Sequence, residues 1–121
     1  MAIARKYRRP INVRGRQFLW WVYEDLEECG ALTLAIASED KDFLVRYPIS
    51  QPAENRYLTV LGRDFPGLPN KRPSWERVRC PAFVSGEVVK PSDVRRTIEW
   101  CLHAERVLIR VDWMGRELRA K

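Results

Sequence analysis

The stretch RGRQFLWWVY, residues 14–23, sets two arginines beside two adjacent tryptophans. Cations next to aromatic rings are the ingredients of a surface that grips phosphates and stacks bases. The same residues also read as a core strand, and that choice decides the fold. Successive side chains of a strand point to opposite faces, so Phe18, Trp20 and Val22 share one face and Leu19, Trp21 and Tyr23 the other. Both sets are apolar, the pattern of a central strand covered on each side. Trp20 and Trp21 therefore cannot share one stacking platform, and at most one of them is left for a ligand.

The pattern extends outward in both directions. Residues 11–13 form a partner strand, with Arg14-Gly15 as the hairpin link. Residues 24–30 read as an acidic turn closed by Cys29-Gly30. Residues 32–37 form a further strand, SEDKD its hairpin loop and residues 43–49 the return. There Phe43, Val45, Tyr47 and Ile49 alternate with Leu44, Arg46 and Pro48. After the loop SQPAEN, residues 57–61 give another strand.

Residues 62–83 hold four prolines and lack helical periodicity. Loops of that length in a small domain are usually functional or disordered. A short edge strand over 75–80 fits inside it, protected by prolines on either side. Residues 84–89 are a further strand candidate. A helix follows over about 91–104, with Pro91 at its first position, Asp93 complementing its dipole, and Val94, Ile98, Cys101 and Leu102 on one stripe. Residues 107–113 close the fold as a strand. The expected class is α+β: a mostly antiparallel, twisted sheet of five to seven strands, with one helix followed by a final strand. Residues 1–10 form a flexible basic arm and residues 11–121 a single domain.

The charge is unevenly placed along the 121 residues, whose net charge is +6. Residues 1–16 carry six basic and no acidic side chains. Residues 17–42 carry seven acids against Lys41 alone. Either the arm steers an anionic partner, or arm and acidic segment neutralise each other across one edge of the fold. Three widely spaced cysteines, Cys29, Cys80 and Cys101, do not read as a secreted disulfide framework, and reduced thiols are expected. The basic N-terminus has no apolar region behind it, and no apolar run reaches the roughly 20 residues of a membrane span. The expected location is cytoplasmic, with no membrane partner.

Catalytic templates find little support. Cys101 and His103 are two apart on a helix and face different directions, and no Cys-x-x-Cys spacing exists, so no metal site is expected. The carboxylates of YEDLEE sit in one short segment, where solvated charge is the common outcome. GEVVK places Glu87 and Lys90 on opposite faces of an extended segment. No glycine-rich phosphate loop is present. The expectation is a non-enzymatic protein without a cofactor.

Two surfaces remain. Leu19, Trp21, Tyr23, Ala35, Leu44 and Leu108 form a second apolar sheet face that one helix cannot cover. The long loop, closure into a barrel, or a second subunit would have to cover it. This favours an interaction module that binds a protein partner or itself. The alternative is a nucleic-acid-binding accessory protein. It would use Arg5, Lys6, Arg8 and Arg9 of the arm, with Lys71, Arg72, Arg77 and Arg79 around Trp75 in the 63–83 loop. Trp75 itself reads first as an anchor packed beneath that loop, since tryptophan is buried on average.

Overall fold

The opening stretch folds around a two-residue turn. Arg14 and Gly15 both take positive φ, 53° and 80°, as the turn matching the twist of a tight hairpin requires. Gly15 adopts it without steric cost, and its N–H donates to Asn12 Oδ1 at 3.1 Å. The computed structural model describes residues 8–26, 30–51, 56–68, 75–85, 88–112 and 116–118. The turn joins β1 (Arg9–Val13) to β2 (Arg16–Asp25) in antiparallel register, Ile11 opposite Phe18 and Arg9 opposite Trp20.

The chain then runs as a meander through β3 (Ala31–Ser38), β4 (Leu44–Pro48), β5 (Tyr57–Val60) and β6 (Glu76–Arg79). Among the described residues a single helix, α1 (Pro91–Leu102), precedes β7 (Arg110–Val111). All seven strands lie in one sheet, each hydrogen-bonded to its neighbour in the chain and every pair antiparallel. The α+β class with one helix and a last strand is thus observed.

Four details differ from the sequence reading. β6 falls inside 75–80 as expected, but it is an interior strand between β5 and β7. Residues 84–89 form no strand among those described; Phe83 and Val84 are instead buried as irregular chain against the core. Of the described residues expected in the last strand, 107–112, only Arg110 and Val111 form it, and Val107 is exposed. Its apolar run lies beyond the ladder, where Arg79 N–H bonds Ile109 O at 2.8 Å. Finally, Arg9 and Pro10 belong to β1 rather than to an arm. Pro10 lacks an N–H and so blunts that free edge.

One sheet face carries the core. Phe18, Leu34, Ile36, Val45, Tyr47, Leu58, Val60 and Val78 are buried beneath Val94, Ile98 and Cys101 of α1. Burial of Val94 and Ile98 contributes roughly 1.5–3 kcal/mol each. Phe18 meets Phe43 edge-on at 5.4 Å, and Phe83 does the same with Tyr47 at 5.4 Å and with Trp100 at 5.8 Å. Cys80 and Cys101 are free thiols in this core, and burial pushes both well above the ordinary thiol range. Cys29 lies outside the described residues.

The helix is held at its start by a buried carboxylate. Asp93 Oδ2 accepts the Lys90 N–H at 3.0 Å, and Oδ1 accepts from Arg96 at 2.7 Å. Arg96 also donates to Phe83 O at 2.7 Å. Asp93→Ala is expected to cost about 1–2 kcal/mol, the loss of a helix cap plus an orphaned partner. Urea denaturation would check this, an unchanged midpoint being the contrary result.

Two acids of the 17–42 segment, Asp40 and Asp42, find arginine partners within the domain, as does Asp64 beyond it. Asp40 and Asp64 both pair with Arg16, and Asp42 pairs with Arg63 at 3.0 Å. The Ser38 hydroxyl, followed by the Asp42 N–H, holds the Asp40 carboxyl below its ordinary value. Among the described residues, then, these acids are neutralised by Arg16 and Arg63. Arg5 and Lys6 lie outside that set.

Candidate functional site

The helix covers one face of the sheet; the other, the open face, carries no helix among the described residues, though Trp21, Thr33, Ala35 and Val111 are buried there. Among the described residues β1 and β7 do not pair, so the sheet is not a closed barrel. The register across the open face gives an unbroken row, Trp21–Ala35–Arg46–Thr59–Arg77–Val111, running from β2 to β7. Strands lie about 4.8 Å apart, which places Trp21, Arg46 and Arg77 at intervals of roughly 10 Å. A second row is Leu19–Ala37–Leu44, and a third Tyr23–Thr33–Pro48. Trp21, Ala35 and Val111 are buried yet lie outside the helix-side core.

Cations sit over the rings of this face. The Arg8 guanidinium lies 4.6 Å from the Trp21 ring centre and that of Arg46 5.9 Å from Tyr23. Arg77 lies 4.5 Å from Trp75 and 5.3 Å from Tyr57. Such contacts fix the cation's position without neutralising it.

Two depressions flank Arg46. The larger, about 350 Å³, is lined by Arg8, Trp21, Tyr23, Lys41, Leu44 and Arg46. The smaller, about 90 Å³, is lined by Asp25, Thr33, Arg46, Thr59, Trp75 and Arg77.

Six arginines off this face are ion-paired, although Arg9, Lys90 and Arg95 also meet no carboxylate among the described residues. Arg14, Arg16, Arg63, Arg96, Arg110 and Arg116 each meet a carboxylate. Among the described residues Arg8, Lys41 and Arg46 meet none within salt-bridge distance. Fixed cations with no internal counter-charge attract external anions.

The residues singled out from sequence are partly brought together. Leu19, Trp21, Tyr23 and Leu44 share the open face, but Leu108 does not; it packs against the helix-side core, beside Gly67. Of the basic set, Arg8, Arg77 and Arg79 lie on this face. Arg79 stands opposite Tyr57. Arg9 lies near Trp20 at 5.5 Å, on the helix side. Trp75 is 49% exposed rather than packed beneath a loop. Arg5, Lys6, Lys71 and Arg72 fall outside the described residues. Lys41 and Arg46 were not singled out as site residues. The signal for Arg46 was its place between Val45 and Tyr47, a charge on the second face of an otherwise apolar strand.

A hidden reaction centre gains nothing from the geometry. His103 caps the end of α1 and is exposed, whereas Cys101 is buried. Among the described residues no group of three or more potential ligands could hold a metal ion. No helix among them is long and apolar enough to cross a membrane. No family model, curated protein or solved structure matches the chain, and the reading of the open face rests on its own geometry.

Proposed function

We propose that the open sheet face binds single-stranded nucleic acid. The observation that carries this reading is the set of cations without carboxylate partners, Arg8, Lys41 and Arg46, interleaved with Trp21 and Tyr23 and continued by Arg77 and the half-exposed Trp75. Cations along a surface follow a phosphate backbone, and a displayed ring stacks a base of any identity. Trp75 is the ring for that role, since 49% of it is exposed.

A single strand fits better than a duplex. A broad sheet face enters neither groove of B-DNA, which admits a helix or a two-stranded ribbon. The cations of α1 are engaged within the domain: Arg96 with Asp93 and Phe83, and Arg95 with the Asn12 carbonyl at 3.2 Å. Self-association through the same face is disfavoured, because a two-fold interface sets identical patches against each other and would bring like charges together.

Fluorescence anisotropy with labelled single- and double-stranded oligonucleotides across a salt series tests the reading. Single strands should bind more tightly than duplexes. Affinity should fall with salt on a logarithmic slope of about 0.7 per phosphate neutralised. Absence of binding at low salt would retire the proposal. Association that is insensitive to salt would return attention to a protein partner.

A further inference from the structure

The larger depression has a donor arrangement that lacks its acceptor. Trp21 is 8% exposed and its indole Nε1–H has no hydrogen-bond partner among the described residues; neither has the Nε–H of Arg8, stacked 4.6 Å from the same ring. Buried polar groups are nearly always satisfied, and neighbouring exceptions point to a missing group. Both orphans are donors, so what is missing is an acceptor. Lys41 and Arg46 line the same depression and meet no carboxylate among the described residues.

We propose that this depression is a phosphate site, with Arg8, Lys41 and Arg46 as its cations and the Trp21 indole N–H as a neutral donor. The assignment rests on the nucleic-acid reading and adds to it a fixed point on the bound strand. A phosphate group suits the set because it offers several anionic oxygens to donors drawn from different strands, whereas a carboxylate offers two. Lys41 comes from the turn after β3, Arg46 from β4, Trp21 from β2 and Arg8 from the residue before β1. At about 350 Å³ the space exceeds a bare phosphate and has room for attached sugar. Arg77, in the smaller depression, is not part of it.

The test follows the Trp21 indole N–H resonance in the ¹⁵N-labelled full chain, identified by its loss in Trp21→Phe. Inorganic phosphate and adenosine 5′-monophosphate should each move it, while adenosine and acetate at equal ionic strength should not. Lys41→Ala should weaken phosphate binding by about tenfold, the effect of one charge-assisted hydrogen bond, and Arg116→Ala, at an exposed side chain paired with Asp112, should leave it unchanged. Equal shifts from oligonucleotides with and without a terminal phosphate would identify an internal phosphodiester as the ligand. A shift only from the terminally phosphorylated strand would identify a phosphate monoester. If oligonucleotides bind while this resonance stays fixed and Lys41→Ala binds them normally, the phosphate site is wrong and the sheet-face reading survives. If phosphate moves it but no oligonucleotide binds, the sheet-face reading fails and the phosphate site stands.

Discussion

Arg46→Glu is expected to weaken single-stranded oligonucleotide binding by about a hundredfold at low salt, close to 2.7 kcal/mol. Arg46 lines both depressions, so its charge acts on whatever occupies either. Reversal removes one attraction and places a repulsive carboxylate roughly 10 Å from both Trp21 and Arg77, two strands away on each side. The salt slope should fall by about 1.4, twice the value for one phosphate contact on a single strand. Arg116→Glu is the matched control: it changes net charge by the same amount on an exposed side chain that is paired with Asp112 and lines neither depression. Equal losses from the two variants would reduce the effect to net charge and sink the assignment of the site. The fold should tolerate Arg46→Glu, because among the described residues this guanidinium meets no carboxylate and only the Tyr23 ring, at 5.9 Å. Circular dichroism of the variant checks that point.

Gly62→Ala should have the largest effect on stability. A Cβ built at Gly62 would lie 2.2 Å from the Asp42 carbonyl oxygen, 2.6 Å from the Leu44 nitrogen and 2.9 Å from the Asp42 carbonyl carbon. All three are backbone atoms, and no rotamer change relieves the overlap. The segment is also tied in place. Leu61 and Gly62 N–H groups both donate to Leu44 O, at 2.9 and 3.1 Å, and Asp64 N–H donates to Asp42 O at 2.8 Å. Relief means separating the start of β4 from the end of β5. The expected cost is about 3 kcal/mol, the upper end for overpacking, or a fall in Tm of about 10 °C. A melting temperature within two degrees of the parent, read by thermal denaturation, would contradict the close approach. The site should suffer too, since β4 carries Arg46 and β5 leads to Arg77.

The sequence was most legible where the pattern is local. Alternation in residues 17–23 and 32–37 placed β2 and β3, and the helix stripe placed α1 to within two residues. The separation of Trp20 from Trp21 followed from the same period of two. Strand neighbours are not a local property. β6 read as an edge because prolines surround it, yet it pairs on both sides, since those prolines lie outside its four residues. Leu108 was placed on the open face because its run alternates; the ladder ends before it, so alternation there fixes no face. Arg46 shows the same limit for the site. In one strand it is a lone charge, and only when β2 to β6 stand side by side does it line up between Trp21 and Arg77.

The meander also has a kinetic consequence. Each strand pairs with the one next to it in the chain, and from β1 to β5 each ladder closes a short loop at small entropic cost. The sheet can therefore grow outward from the tight hairpin at Arg14-Gly15, one strand at a time. The step that spans the chain is the docking of α1 on β1, marked by the Arg95 bond to the Asn12 carbonyl across 83 residues and by the Arg14–Glu99 pair. On a ribosome the first six strands could assemble before that helix emerges, and its arrival, followed by β7, would close the core.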